Sequence, residues 1–221
     1  NAVKELGLEK NTMIVLTSDN GTPKGRAGGS GSGSNEPYNG KGYDTMEGGM
    51  RVPGIVVWPD KITEGTTNDE LCTMMDWMPT FAYLAGGELP NDRVIDGKNI
   101  WPLLSGQSGA KSPHQVFCYY LMDQLQALRD DRFKLYLPLD NKYDSGNKKT
   151  FYGPGQLKLI DLKNDLKEEQ DVSELHPQIV EKLLKEAEKM RQELGDHDQR
   201  GKAIRPALYF ENPKPLVKTA N

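Results

Sequence analysis

The chain has 221 residues, of which 27% are charged, and a formal net charge of −4. That is enough to bury one sizeable core with a small attached subdomain, and it offers no basic field for nucleic acid. No apolar run approaches the roughly 18 residues of a membrane-spanning helix, and nothing resembles a signal peptide.

Asn1-Ala2-Val3-Lys4 lacks an initiator Met and reads as the middle of an amphipathic segment, so the chain is expected to be a fragment. Residues 1–10 read as the end of a helix stopped at Gly7. Thr12 to Thr17 is a short continuous apolar run, the pattern of a strand buried on both faces. Ser18-Asp19-Asn20-Gly21 follows it. The span from Gly21 to Gly49 holds ten glycines and little that would fill a core. A loop of that length inside a compact domain is functional or disordered, and Gly28 to Ser34 has the composition of a mobile tip. Val52 to Pro59 reads as a second buried strand. Two such strands joined by a long crossover predict a mainly parallel α/β sheet with ligands beyond the strands' carboxyl ends. Asp19 and Asn20 occupy such an end.

Thr67-Asn68-Asp69-Glu70 has the form of a capping box opening a helix. Leu71, Met74, Met75, Met78, Phe81, Ala82 and Ala85 then share one face as a core stripe, and Pro79 is expected to kink or restart that helix. Asn99 to Leu104 reads as a short helix before Gly106. From Gln115 the period becomes two: Val116–Tyr120, Gln124–Arg129, Arg132–Leu137 and Leu157–Leu162 read as strands of a small antiparallel sheet, with a polar surface loop over 140–155. Pro177 opens a strong helix with Ile179, Val180, Leu183, Leu184, Ala187, Met190 and Leu194 inward and Gly195 past its end. Glu181 and Lys185 support its wet face. The tail after Asp196 is expected to run extended. These elements divide as 1–110, a main α/β part; 111–195, an antiparallel subdomain with a terminal helix; and 196–221, a tail. Cys72 and Cys118 lie in apolar stretches and read as two buried free thiols or as one disulfide.

Several residues suit chemistry. Asp19 and Asn20 are hard oxygen ligands for Ca²⁺ or Mg²⁺, though two ligands are too few by themselves and Asp-Asn-Gly is also a common turn. Lys41 stands between Gly40 and Gly42, which let backbone approach a ligand while the ammonium supplies charge. Tyr43 beside it lines a pocket or packs the loop. Glu47 and Arg51 read as an ion pair bracing the loop. His114 precedes the first late strand. His176 reads as a cap or surface residue, and His197 as part of a solvated acidic turn. Asp130-Asp131 sits at a turn between late strands and is not read as a metal pair.

Val15-Leu16-Thr17-Ser18-Asp19-Asn20-Gly21, Gly40-Lys41-Gly42 and Glu47-Gly48-Gly49-Met50-Arg51-Val52-Pro53 together resemble the formylglycine-dependent sulfatases of the arylsulfatase type. Further stretches match in order: Asp76-Trp77-Met78-Pro79-Thr80-Phe81, Asp96 to Gly106, Leu128-Arg129 with Phe133-Lys134-Leu135, and Leu159 to Asp165 with Glu168 and His176-Pro177. The resemblance covers about Leu6 to Gly195. It implies the C-terminal part of an alkaline-phosphatase-like sulfatase fold, with mainly parallel strands, a small antiparallel sheet and a C-terminal helix. It implies that Asp19 and Asn20 are half of a calcium site, with Mg²⁺ the alternative, that Lys41 contacts the sulfate and the leaving-group oxygen, and that the region of His114 holds substrate contacts, which makes His114 a candidate for one. Neither Cys72 nor Cys118 carries the family's Cys-x-Pro-x-Arg context. Formylglycine and the other ligands are therefore expected in a missing N-terminal half, and this chain alone is expected to be inactive.

The implied function is hydrolysis of a sulfate-ester small molecule or sulfated glycan, outside the cytoplasm. A phosphodiesterase or phosphonate hydrolase of the same superfamily, and a non-catalytic module that binds sulfated glycans, are the alternatives.

Overall fold

A computed structural model describes residues 2–23, 33–139, 155–197, 199–206 and 209–214. The sequence-predicted tip at Gly28–Ser34 and the loop at 140–155 lie largely outside those residues.

Its centre is a four-stranded antiparallel sheet in the order β3 (Phe117–Leu121), β4 (Gln124–Arg129), β5 (Phe133–Tyr136), β6 (Lys158–Asp161). The strands fall where the period-two pattern predicts them, because each alternates residues between two covered faces. On one face Leu125, Phe133, Leu135, Leu137 and Leu159 pack with Leu183 and Ala187 of α5 (Pro177–Glu193). On the other, Tyr119, Ala127, Tyr136, Ile160 and Leu162 gather with Met50 and Phe117. The sheet is thus sandwiched between a helix and the segment around residues 44–50. Each leucine fully withdrawn from water contributes about 1.5–3 kcal/mol, so removing Leu183, which has no exposed surface, would uncouple α5 from the sheet.

The two early strands lie where the sequence predicts them but pair otherwise. β1 (Ile14–Leu16) and β2 (Ile55–Val57) are antiparallel, with Val15 opposite Val56. The outgoing and returning chain are zipped together beyond the strands: the Gly21 N–H donates to Gly49 O at 2.9 Å and the Gly42 N–H to Thr22 O at 3.2 Å. That bonding folds the connection back on itself, so the parallel crossover between these two strands is corrected. Neither strand is buried on both faces, since Ile14, Leu16, Ile55 and Val57 form an exposed apolar face. The mixed α/β character stands.

A second correction concerns the methionine stripe. No helix opens at Thr67. A 3₁₀ turn (Met74–Asp76) leads into α3 (Trp77–Leu84), and the Thr73 N–H donates to Asp76 Oδ2 at 2.7 Å. Pro79 falls in the first turn, where its missing N–H costs nothing. The helix is turned polar side in: Asp76, Pro79 and Thr80 are buried, while Met74, Met75, Met78 and Phe81 are exposed. The reason is tertiary. Asp76 Oδ1 accepts the Lys98 N–H at 2.8 Å, and the Thr80 hydroxyl accepts the Ile100 N–H at 3.0 Å while donating to Asp76 O at 2.7 Å.

The remaining elements follow the sequence more closely. Helix α1 (Ala2–Glu5) ends before Gly7, whose φ is 65°. Helix α4 (Trp101–Leu104) stops before Gly106, and α5 before Gly195, both with positive φ. Glu181 and Lys185 pair at 2.7 Å on the wet face of α5. Past it, β7 (Gly195–Asp196) and β8 (Gln199–Arg200) make a minimal hairpin. Cys118 is partly buried, Cys72 is exposed, and both thiols are free. The disulfide is therefore absent, and so is the burial expected of Cys72. Among the described residues no helix is long and apolar enough to cross a membrane.

Candidate active site

Two segments meet beyond the end of β1. The chain leaving that strand turns through Ser18 and Asp19, where Asp19 Oδ1 accepts the Asn20 N–H at 2.9 Å and the Ser18 hydroxyl donates to Asn20 O at 3.2 Å. The segment carrying Lys41 lies directly against it. A Cβ built on Gly42 would stand 2.5 Å from Gly21 O and 3.4 Å from Asn20 Nδ2, and one built on Gly21 would strike Gly48 O. Only glycines permit that approach. Asn35 binds the two together: its Oδ1 accepts the Thr22 N–H at 2.8 Å, and its Nδ2 donates to Thr22 O at 2.9 Å and Gly40 O at 3.1 Å.

Lys41 is exposed, so its ammonium is available to a ligand, and its backbone is fixed. The Lys41 N–H donates to Asp44 Oδ2 at 2.9 Å and the Met46 N–H to Asp44 Oδ1 at 3.1 Å. Burial raises the Asp44 carboxyl above the ordinary aspartate range, with those two N–H groups opposing it. Tyr43 projects into solvent, 72% exposed, from a left-handed backbone with φ 77°. A side-chain-bearing residue adopts that conformation at a cost, which is characteristic of functional loops.

Behind the loop lies a buried charge cluster. Helix α2 (Glu47–Met50) begins at Glu47. Its carboxylate pairs with Arg51 at 2.5 Å, Arg129 at 3.2 Å and Lys134 at 3.0 Å, and accepts the Tyr119 hydroxyl at 2.7 Å. Burial alone would raise the Glu47 carboxyl; Lys134, Arg129 and Arg51 outweigh it and bring it to about 2. Lys134 is wholly buried between the rings of Tyr119 and Tyr136, donates to Thr45 O at 2.7 Å, and also pairs with Glu168 at 2.8 Å. The brace expected from Glu47 and Arg51 is therefore present, as one part of a larger assembly. Asp44, Asn35, Lys134 and Glu168 do not stand out as site residues in the sequence. The alternation Phe133-Lys134-Leu135 is the one signal that places a lysine on the Tyr119 face of the sheet.

His114 stands elsewhere. Its Nε2 meets Asp76 Oδ1 at 2.7 Å, with the two side chains 8% and 0% exposed. The hydrogen bonds around it tie residues 112–114 to α3 and to the 70–71 segment, as the Ser112 hydroxyl donates to Leu71 O and the Ser112 N–H to Glu70 Oε2 at 2.7 Å. Among the described residues no hydrogen bond or ion pair joins it to the Lys41 loop, and its geometry is that of a structural tie. His176 makes no side-chain cap and packs its ring on Phe133, with centroids 5.0 Å apart. Asp130 orders the β4–β5 turn by accepting the Phe133 N–H at 2.8 Å and pairs with Lys182 at 3.0 Å.

Among the described residues no group of three or more His, Cys, Asp or Glu side chains has a metal-holding arrangement. Asp19 and Asn20 fit a hard divalent cation in donor type, since Asp19 is exposed and its second carboxylate oxygen and the Asn20 amide oxygen accept no hydrogen bond among the described residues. They supply two of the six to eight oxygens that Ca²⁺ takes.

A family model described as Sulfatase matches residues 1–87. The chain is 45% identical over 127 residues to steryl-sulfatase of Rattus norvegicus, covering 56% of this chain and 22% of that protein. It is 37% identical over 156 residues to N-acetylgalactosamine-6-sulfatase of Mus musculus, covering 70% and 29% respectively. The crystal structure of a sulfatase from Pseudoalteromonas sp. superimposes with a TM-score of 0.69 at 28% identity, over 86% of this chain and 39% of that one. The chain thus spans between a fifth and a third of the curated relatives it matches.

Proposed function

The chain belongs to the sulfatase family, and from that premise we propose that the intact protein hydrolyses sulfuric esters at a site to which this chain contributes Lys41, Asp19 and Asn20. The observation that supports the reading is the interlock of Asn20–Thr22 with Gly40–Gly42, which brings the backbone on either side of Lys41 against the segment that carries Asp19 and Asn20.

In this reading the Lys41 ammonium holds a sulfate oxygen in the ground state. It then meets the ester oxygen as the S–O bond breaks and negative charge moves onto the leaving group. A charge fixed where charge develops lowers the barrier more than one recruited during the reaction. The hydrogen bonds from Lys41 and Met46 to Asp44 hold the loop backbone, so only the lysine side chain needs to adapt to the substrate. Tyr43, next but one to Lys41 and exposed, is assigned to the substrate side of the loop.

Asp19 and Asn20 would hold part of a divalent cation, Ca²⁺ by their donor type with Mg²⁺ the alternative, which supplies positive charge against the sulfate. The nucleophile is assigned to a formylglycine in polypeptide beyond this chain, since neither Cys72 nor Cys118 has the required sequence context. The exposed apolar face of β1 and β2 supports packing against such a remainder. The substrate is proposed as a sulfate ester of a small alcohol, phenol or glycan, and the site of action as outside the cytoplasm.

The test is a paired assay of the intact protein on one phenol presented as its sulfate and as its phosphate ester, with and without a chelator. Chelator-sensitive cleavage of the sulfate in preference to the phosphate is expected. Preference for the phosphate ester would refute it.

A further inference from the structure

The cluster behind the Lys41 loop is more elaborate than a fold of this size needs for cohesion. Two carboxylates, Glu47 and Glu168, are buried side by side with almost no exposed surface, bridged by the single ammonium of Lys134 at 3.0 and 2.8 Å. Buried ion pairs are weak sources of stability and are better understood as devices that fix one arrangement. Glu168 also has a φ of 60°, a left-handed conformation costly for a residue with a side chain. Its carboxylate accepts the Glu47 backbone N–H at 2.7 Å and the Tyr136 hydroxyl at 2.5 Å. Its backbone oxygen accepts Lys158 Nζ at 2.6 Å. One position earlier, Lys167 O accepts the Asn39 side-chain amide at 2.8 Å.

The consequence is topological. Asn39 and Glu47 flank Lys41, and both are docked on residues 167–168, more than a hundred positions further along the chain. The turn at 167–168 therefore grips both ends of the loop that carries the lysine, while Lys134 ties Thr45 and Glu47 to the sheet beneath.

We propose that Glu168 is a positioning residue for Lys41: with Lys134 and the Lys167 carbonyl it clamps the 39–50 segment, and so fixes the lysine beside the Asn20–Thr22 segment. This rests on the sulfatase reading for its kinetic consequence, while the clamp itself is measurable without it.

Glu168→Gln in the intact protein keeps the side-chain volume and an acceptor for Tyr136 but removes one of the two charges that Lys134 bridges. Backbone hydrogen exchange over 39–50 is expected to quicken about tenfold while β5 and β6 stay protected, as local opening does. On aryl sulfates with leaving groups of graded acidity, kcat is expected to fall about 10- to 100-fold, in keeping with the penalty for small misplacements of catalytic groups. The rate should also depend more steeply on leaving-group pKa, because the ammonium no longer meets the departing oxygen. Asn39→Ala, which removes only a peripheral hydrogen bond, should show the same signature more weakly, and it gives the reading if Glu168→Gln does not fold.

Unchanged exchange at 39–50 in the folded variant would overturn the clamp. Faster exchange with an unchanged leaving-group dependence would overturn the positioning of Lys41, leaving a purely structural joint. If the parent protein cleaves no sulfate ester, the functional reading falls, and the exchange experiment still decides whether 167–168 holds the loop.

Discussion

The His114 imidazole and the Asp76 carboxylate meet at 2.7 Å across 38 positions of chain, and both are withdrawn from solvent. Asp76 is the hub of this corner. It also accepts the Thr73 and Lys98 backbone N–H groups, and so joins α3, the 95–100 segment and the approach to β3. The Asp-x-x-Pro-Thr stretch is thus a folding device: Asp76 and Thr80 organise neighbouring backbone while Pro79 opens the helix.

Replacing His114 by alanine is therefore expected to destabilise the protein by about 1–3 kcal/mol, the cost of stranding one side of a buried polar contact. Thermal unfolding of the variant would measure it. KM for a sulfate ester should stay within about twofold of the parent, since among the described residues the hydrogen bonds of His114 run to Ser112 and Asp76 and not to the Lys41 loop. A raised KM with unchanged stability would return His114 to the substrate side.

Acid stability should carry the mark of Glu47. Its folded-state carboxyl lies at about 2 against an ordinary 4.5, lowered on balance by Lys134, Arg129 and Arg51 against its burial. A depressed carboxyl stabilises the fold above its unfolded value, and that contribution is lost as pH falls from about 4.5 towards 2. The displacement corresponds to roughly 3 kcal/mol. Denaturant unfolding between pH 6 and pH 2 is expected to show this fall in the parent and a flatter profile in Glu47→Gln, which starts from lower stability at neutral pH. Parallel profiles for the two proteins would contradict the assignment.

Glycine at 42 is required by contact and not by φ. A methyl group there would press on Gly21 O at 2.5 Å and force apart the two segments of the site. Gly42→Ala is expected to cost about 1–3 kcal/mol, as overpacking does, with a loss of turnover in the intact protein larger than the stability change explains. Gly54→Ala is the control, because a Cβ there meets nothing within 4 Å. Calorimetry of the pair would separate them, and equal effects would dismiss the close approach as a determinant.

Much of the fold is readable in the residues, and the exceptions have physical causes. The strands β3–β6 and helix α5 announce themselves because the sheet has two distinct faces, one against α5 and one against the Lys41 loop, so their periodicity survives in the sequence. The positions of β1 and β2 are equally plain, but their antiparallel pairing depends on backbone bonds between glycines, Gly21 to Gly49, that leave no side-chain signal. The start of α3 is obscured because Thr67 to Glu70 has the spacing of a capping box, whereas the helix is anchored by tertiary bonds to Asp76. Its methionines look like core and face outward for the same reason. Within the proposed site, Asp19, Asn20 and Lys41 stand out by chemistry and spacing. Glu168 is marked in the sequence only as part of a matching stretch, with no role attached, because its contacts to Glu47 and Tyr136 are tertiary.

The most direct measurement is a crystal structure of the intact protein with a bound sulfate ester in the presence of Ca²⁺. The account predicts one sulfate group with the Lys41 ammonium at hydrogen-bonding distance, and a cation on the same sulfate held in part by Asp19 and Asn20. A sulfate bound with Lys41 pointing away from it, or with Asp19 and Asn20 facing a separate site, would contradict it.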